Sequence, residues 1–424
     1  MKNRSFLVPL IILLIALSLR LLLVYFDGGS VPITGDAPNY LAIADSLREG
    51  KGFSLNGQDP TATRMPLYPL FLAGVLSLPE AGMRTIQFFQ ALIDSLTCLL
   101  VYFLASRLLN KPNSVICGLI IALYVPMASR CLSVYSETLF TFFLVASILL
   151  LVLNQEYIWP SGAAGLVMGI GTLVRPNGLV IGIFLVLWML FFYNWKKALI
   201  HSAAFLFCVS LVLAPWVIRN AAVFDRFIPT FTLSGITLYN SYFIPESGLG
   251  YNEIKPEHNE VLSINNEAER SNYLTRLTLK HIEQHPLQAI KLIPMKLSLL
   301  IYPFDMKWMQ KDWPFKYNIF WGIIAALAIV AVVFDASFVW KRLSILFFPL
   351  GALLLSTILL YGSPRMRAPF DPLIAVFATV GAAWVWKNRR RYLWIGGIVV
   401  ANVGTMLLGE SGYIIRLLKN LKPW

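Results

Sequence analysis

Apolar runs long enough to cross a bilayer recur along the whole chain, and that recurrence leaves few folds open. They lie near residues 6–26, 86–109, 114–129, 137–154, 161–174, 178–194, 199–218, 317–334, 343–360, 370–386 and 393–408. A spanning helix needs about 20 mostly apolar residues, and barrel strands would show as segments of about ten alternating residues. No such alternation is visible. Of the 424 residues 13% are charged and 57% hydrophobic, whereas roughly a quarter of a soluble domain is charged. The chain reads as an all-α polytopic membrane protein with about eleven spans.

The first run follows Met1-Lys2-Asn3-Arg4. It is long enough to span and no small-residue cleavage site follows it, so it reads as an uncleaved helix. With the N-terminus inside, Lys2/Arg4, Arg107/Lys111, Lys196/Lys197, Lys341/Arg342 and Lys387 with Arg389–Arg391 all fall in the cytoplasm, as the positive-inside rule requires. This holds if the stretch 287–304, with Lys291, Pro294 and Lys296, lies in the interface rather than crossing. Residues 27–85 and 219–316 then form two outer segments, the first with an amphipathic helix lying flat on the membrane. The organisation expected is an N-terminal membrane module over 1–218 that includes the loop 27–85. An extracytoplasmic loop region with an interfacial helix follows over 219–316, and C-terminal helices and a tail over 317–424. The tail falls outside against the charge rule, and an amphipathic surface helix over Tyr413, Ile414, Leu417, Leu418 and Leu421 accounts for it.

Charges in the short outer loops break the pattern. They are Asp36 in "TGDAPNYLAIADSLREGKGFS", Arg64 in "TATRMPLYPLFLA", Glu137 in "VYSETLF", Arg175 in "TLVRPNGL", and Arg365 and Arg367 in "YGSPRMRAPFDP". Ionisable groups at membrane depth are costly and read as functional by default. Each also has a plainer reading. Asp36 precedes Ala37-Pro38 and a helical stretch closed by Gly50, which suits an N-cap. Glu137 opens a span, where the helix dipole favours an acid. Arg64 and Arg175 can snorkel to headgroups. Arg20, inside the first span, either snorkels or meets an internal partner.

Other chemistries find no support. The net charge of +13 is what cytoplasmic loops and anionic headgroups ask for, and nucleic acid is not expected as a partner. Cys98, Cys117, Cys131 and Cys208 show no ligand spacing. "HIEQH" places His281 and His285 at i and i+4, but Ile282 stands where a zinc protease needs Glu. No P-loop, dinucleotide fingerprint or nucleophile elbow is present.

The carboxylates and arginines together suit a phosphate-bearing donor: cations hold an anionic leaving group while a carboxylate accepts a proton. The order of motifs along nearly the whole chain, from "GDAPNYLAIADSLREGKGF" through "TRMPLYPLFLA", "SETLF", "LVRPNGL" and "HPLQAIKLIPMKL" to "SPRMRAPFDPLIAVFA", resembles the GT-C glycosyltransferases of the protein O-mannosyltransferase and aminoarabinose-transferase type. The resemblance implies the GT-C fold, a polyprenyl-phosphate-sugar donor, inversion at the sugar, and a site on the extracytoplasmic face of the cell (cytoplasmic or inner) membrane. It casts Asp36 as the catalytic base of the first loop, and Arg64, Arg365 and Arg367 as phosphate-binding; Arg175, as one of the outer-face charges, is a further phosphate-binding candidate. Glu137 assists at the acceptor or at a metal; a divalent ion held by Asp36 and Glu137 stays open. Two departures bear on the acceptor. Ala37 stands where protein mannosyltransferases often carry Glu, and no inserted soluble domain is present. Lipid, glycan and protein acceptors therefore all stay open. The competing class is a transporter or flippase of an anionic lipid-linked substrate, which would need a polar path through the spans. Apart from Arg20, Asp94, Asn402 and scattered hydroxyls, the spans are apolar.

Overall fold

The computed structural model describes residues 4–27, 29–30, 33–153, 156–244, 254–301 and 318–388. Its helices in chain order are α1 (Arg4–Asp27), α2 (Ala37–Arg48), α3 (Leu67–Leu76), α4 (Met83–Leu108), α5 (Lys111–Ala122), α6 (Val125–Ala128), α7 (Glu137–Leu151), α8 (Trp159–Val174) and α9 (Asn177–Phe192). There follow α10 (Trp195–Phe224), α11 (Ser234–Phe243), α12 (Glu267–Gln284), α13 (Pro286–Ile301), α14 (Ile319–Phe334), α15 (Ala336–Leu359), α16 (Pro364–Arg367) and α17 (Asp371–Asn388). The described residues form no β-strand beyond one isolated bridge, Ser54 to Pro60.

Five helices are long and apolar enough to cross a membrane, and the bent pair Lys111–Ala122 and Val125–Leu132 makes a sixth. α7, α8, α9 and α14 are apolar but shorter. Each of the first ten runs read from the sequence thus carries helix, though a count of eleven spans is not established. The run 393–408 and the amphipathic tail lie outside the described residues. The stretch 161–194 forms the compact hairpin its Arg175-Pro176-Asn177 turn suggests, as α8 and α9.

Small residues set the closest helix approach. α8 reads "WPSGAAGLVMGIGTLV", and a Cβ at Gly165 would run into the backbone of Phe205 on α10. In lipid, where burial alone does not drive helices together, such small faces allow the backbone contact that does. α4 presents a polar stripe instead. Gln87, Gln90, Asp94 and Cys98 recur at helical spacing and are all buried. Each finds a partner across the bundle, as a buried polar group must. Gln90 donates to the carbonyls of Cys131 and Ser133 at 2.9 Å each, and Gln87 to that of Leu132 at 3.0 Å.

Arg20 is fully buried and has an internal partner rather than a headgroup. Its Nε meets Asp94 Oδ2 at 2.8 Å, and its Nη1 meets the carbonyl of Ala122 at 2.6 Å. That carbonyl lies at the C-terminus of α5, where the helix breaks by 49°. Carbonyls freed at a break need donors, and Arg20 supplies them.

The stretches around Thr61 and Glu267 are stapled together. Glu267, in the first turn of α12, accepts from Thr61 Oγ1 at 2.9 Å and from the amide of Ala62 at 2.5 Å. Arg219 on α10 donates to the Thr61 carbonyl at 2.7 Å and lies over the ring of Trp216. The strand-like stretch that leads to Arg64 is therefore held from both sides.

Candidate functional site: an acid–arginine cluster at one end of the helices

Asp36 reaches its place through a tight turn. Gly35 takes φ +63°, a conformation glycine adopts without strain, and a Cβ there would press on the Tyr135 hydroxyl. That hydroxyl donates to the Thr34 carbonyl at 3.2 Å. Asp36 then occupies the N-cap position of α2, but with helical backbone angles and no capping hydrogen bond from its side chain. The capping role suggested by the sequence is not what holds it. Two arginines do: Arg64 Nη2 at 2.7 Å from Oδ1 and Arg365 Nη2 at 2.6 Å from Oδ2.

Glu137 starts α7 and is almost wholly buried. Its Oε1 is shared by Arg175 Nη1 at 2.7 Å and by the Nε of Arg365. Its Oε2 has no hydrogen-bond partner among the described residues. Arg365 thus joins the two carboxylates, with its guanidinium 4.2 Å from the centre of the Tyr135 ring. Arg175 is aimed by the proline after it, which keeps it extended at φ −144°, ψ 133°. It also donates to Ser136 Oγ at 3.1 Å.

Arg365 and Arg367 part company. Ser363 caps α16 and accepts from the Met366 amide at 3.2 Å, with Pro364 in the first turn. Residues two apart on a helical turn do not face the same way. Arg367 is buried against Asp371, 3.1 Å away, donates to the Leu300 carbonyl at 3.0 Å, and lies 3.5 Å above the Trp321 ring. Tyr124 completes that second centre by donating to Asp371 Oδ2 at 3.2 Å. The wall beside both arginines is tight, because a Cβ at Gly362 would overlap the Lys296 carbonyl of α13. Lys296 itself donates to the Ile358 carbonyl at 3.3 Å, and burial pushes it down to about 8.

The electrostatics of Asp36 follow from these contacts. Burial on its own would raise its pKa. Arg365, and after it Arg64, outweigh burial and hold the carboxyl well below the usual range. Its side chain keeps 25% of its surface exposed, so it remains within reach of a ligand. Both oxygens of Asp36 already face arginines. Among the described residues no three His, Cys, Asp or Glu side chains gather as a metal site would require. Asp36 and Glu137 as arranged do not fit a divalent ion without displacing Arg365. His281 and His285 stand apart, in ring contact with each other, and His281 also meets the ring of Phe243.

The structure brings Asp36, Arg64, Glu137, Arg175 and Arg365 into one cluster and sets Arg367 beside Asp371. Sequence reasoning did not single out Tyr135, Asp371 or Tyr124. An aromatic next to "SETLF" and the acid in "RAPFDP" were the available signals.

Residues 60–218 match the family model described as dolichyl-phosphate-mannose-protein mannosyltransferase. That segment holds Arg64, Glu137 and Arg175, with Asp36 and Arg365 outside it. The helical arrangement is similar to that of the Archaeoglobus fulgidus oligosaccharyltransferase AglB in complex with an inhibitory peptide and a dolichol-phosphate. The TM-score is 0.54 at 16% identity over 94% of this chain and 52% of that one. The apo form of the A. fulgidus enzyme gives 0.53 at 16% identity, over 92% of this chain and 52% of that one. The form tethered with an acceptor peptide gives 0.54 at 17%, over 93% and 51%. The chain spans about half the length of these solved structures, and the likeness is one of fold. No curated protein matches it.

Proposed function

We propose that this chain is a membrane glycosyltransferase of the GT-C superfamily that moves a sugar from a polyprenyl-phosphate donor to a hydroxyl acceptor with inversion. The observation that carries the reading is the sharing of three arginines, Arg64, Arg175 and Arg365, between two carboxylates. The cluster has one positive charge more than its own acids balance. An anionic group entering it gains charge-assisted hydrogen bonds that the resting protein can only partly satisfy internally.

In the reaction the acceptor oxygen attacks the anomeric carbon as its proton passes to Asp36. The bond from that carbon to the phosphate oxygen breaks, and the lipid phosphate leaves with the electron pair. Arg365, Arg64 and Arg175 stabilise the charge that builds there, in a low-dielectric setting where fixed cations count most. One carboxylate suffices for inversion, since the leaving phosphate needs no acid. Glu137 positions Arg175 and Arg365 through Oε1 and offers Oε2 to the acceptor. Arg367, paired with Asp371, shapes the wall on the donor side.

A resting Asp36 clamped by two arginines is a weak base. A phosphate that takes hydrogen bonds from Arg365 and Arg64 relieves the clamp and strengthens the base only once the donor is bound. The cluster faces the extracytoplasmic side of the cell membrane in this reading. Arg107, Lys111, Lys196, Lys197, Lys341, Arg342 and Lys387 sit at the helix ends away from Asp36, which supports that orientation by the positive-inside rule. The acceptor, whether lipid, glycan or protein, meets the cluster from the segment that includes α11 and α12.

The test is Asp36→Asn, assayed in membranes with a polyprenyl-phosphate sugar. Transfer should fall at least about a thousandfold with unchanged protein level and unfolding temperature. Retained transfer would remove Asp36 as the base.

A further inference from the structure

Among the described residues Arg130 forms no ion pair. It lies in the 3₁₀ turn Ser129–Leu132 that follows α6, on the far side of the 49° break from α5. Its side chain makes no hydrogen bond or ion pair among the described residues, and its Nε is buried with no partner. Three buried carboxylates, Asp94, Glu137 and Asp371, lie within its electrostatic reach. Each already holds an arginine of its own: Arg20 on Asp94, Arg175 and Arg365 on Glu137, Arg367 on Asp371. The turn cannot easily swing the guanidinium away. Gln90 grips the carbonyls of Cys131 and Ser133, Gln87 grips that of Leu132, and Arg20 fixes the end of α5 before it. An unpaired, half-buried cation at membrane depth is costly, and here three α4 and α1 side chains are arranged to keep it in place.

We infer that Arg130 is a phosphate-binding residue of the donor site, taking the anionic head of the lipid phosphate while Arg64, Arg175 and Arg365 remain engaged with Asp36 and Glu137. This rests on the reading of the protein as a lipid-phosphate-dependent transferase. It assigns the first hold on the donor to a residue outside the acid–arginine cluster. Arg365 and Arg64 then shift onto the bound phosphate, which frees Asp36 before the sugar is transferred. A guanidinium suits the role because its fork meets two phosphate oxygens at once.

Decaprenyl phosphate is the probe, added to the full-length protein in nanodiscs and followed by tryptophan fluorescence, with phosphate-free decaprenol and inorganic phosphate as the other arms. Wild type should bind decaprenyl phosphate, and Arg130→Gln should weaken that binding at least tenfold while leaving decaprenol binding and the ligand-free unfolding temperature unchanged. Arg130→Lys should fall between the two, and it carries the test if the Gln variant does not fold. Equal binding by wild type and both variants overturns the assignment and leaves the proposed function standing. Wild type that binds decaprenol as well as decaprenyl phosphate removes the function and the assignment together. Inorganic phosphate binding as tightly as the lipid, and lost in Arg130→Gln, makes this a free-anion site and overturns the lipid source.

Discussion

Arg365 and Arg367 stand two residues apart on one four-residue helix and end in opposite surroundings. Arg365 keeps 21% of its side chain exposed and is divided between Asp36 and Glu137. Arg367 keeps 3% and belongs to Asp371, which keeps 1%, under the face of Trp321. The sealed pair is balanced charge for charge, with its spare donor and acceptor taken by Leu300 and Tyr124. The open cluster is neither balanced nor fully satisfied, since Glu137 Oε2 and Arg64 Nε lack partners among the described residues. A closed ion pair ties helices together, and an open one leaves bonds for a ligand to complete.

Breaking the sealed side should give the largest loss of stability. Arg367→Leu strands a buried carboxylate, and the protein should lose about 3–5 kcal/mol, read as a drop in unfolding temperature in detergent. Arg365→Ala should leave the fold far less affected but cut transfer by about a hundredfold or more, read as initial rate at saturating donor. If the two variants gave the same ratio of stability to activity loss, the distinction between the centres would fail.

The pH response sharpens it further. Asp36 is depressed in the folded state, so its stabilising contribution is fully present above the ordinary carboxylate range, near pH 4, and is lost as pH falls through its lower folded value. The acid limb of kcat/KM, which reports the free enzyme, should therefore lie below about pH 4. With donor bound and the arginines drawn to phosphate, the acid limb of kcat should lie at higher pH. Coincident limbs would mean that the donor does not relieve the clamp. The smallest effect is expected from replacing the sealed pair whole. Arg367→Met with Asp371→Leu should change stability by no more than about 1 kcal/mol and raise it if packing is good, with transfer retained.

The outline of the fold and the membership of the open cluster were legible in the sequence for the same reason. Apolar runs announce spans, and charges at the wrong ends of them are conspicuous. Arg20 was conspicuous too, but its choice between headgroup and partner depended on Asp94, 74 residues away on another helix. Asp36 looked like a helix cap because its neighbours are those of a cap. The turn at Gly35 sends the carboxylate to Arg64 and Arg365 instead, and no local pattern encodes that. The fate of "RMR" turned on a single short helix set by Ser363-Pro364. Read as an extended loop, the same three residues send both arginines one way.

Arg365 also has a place in time, because it is among the last parts of the site to be synthesised. Until residue 365 leaves the ribosome, Asp36 has only Arg64, and Glu137 has only Arg175, although α1 to α15 can already be inserted. The two halves of the cluster are joined by one late side chain. A chain interrupted before α16 would hold two separate half-sites with no bridge between them, and assembly of the site would be a concluding act of biosynthesis rather than a property of the N-terminal module.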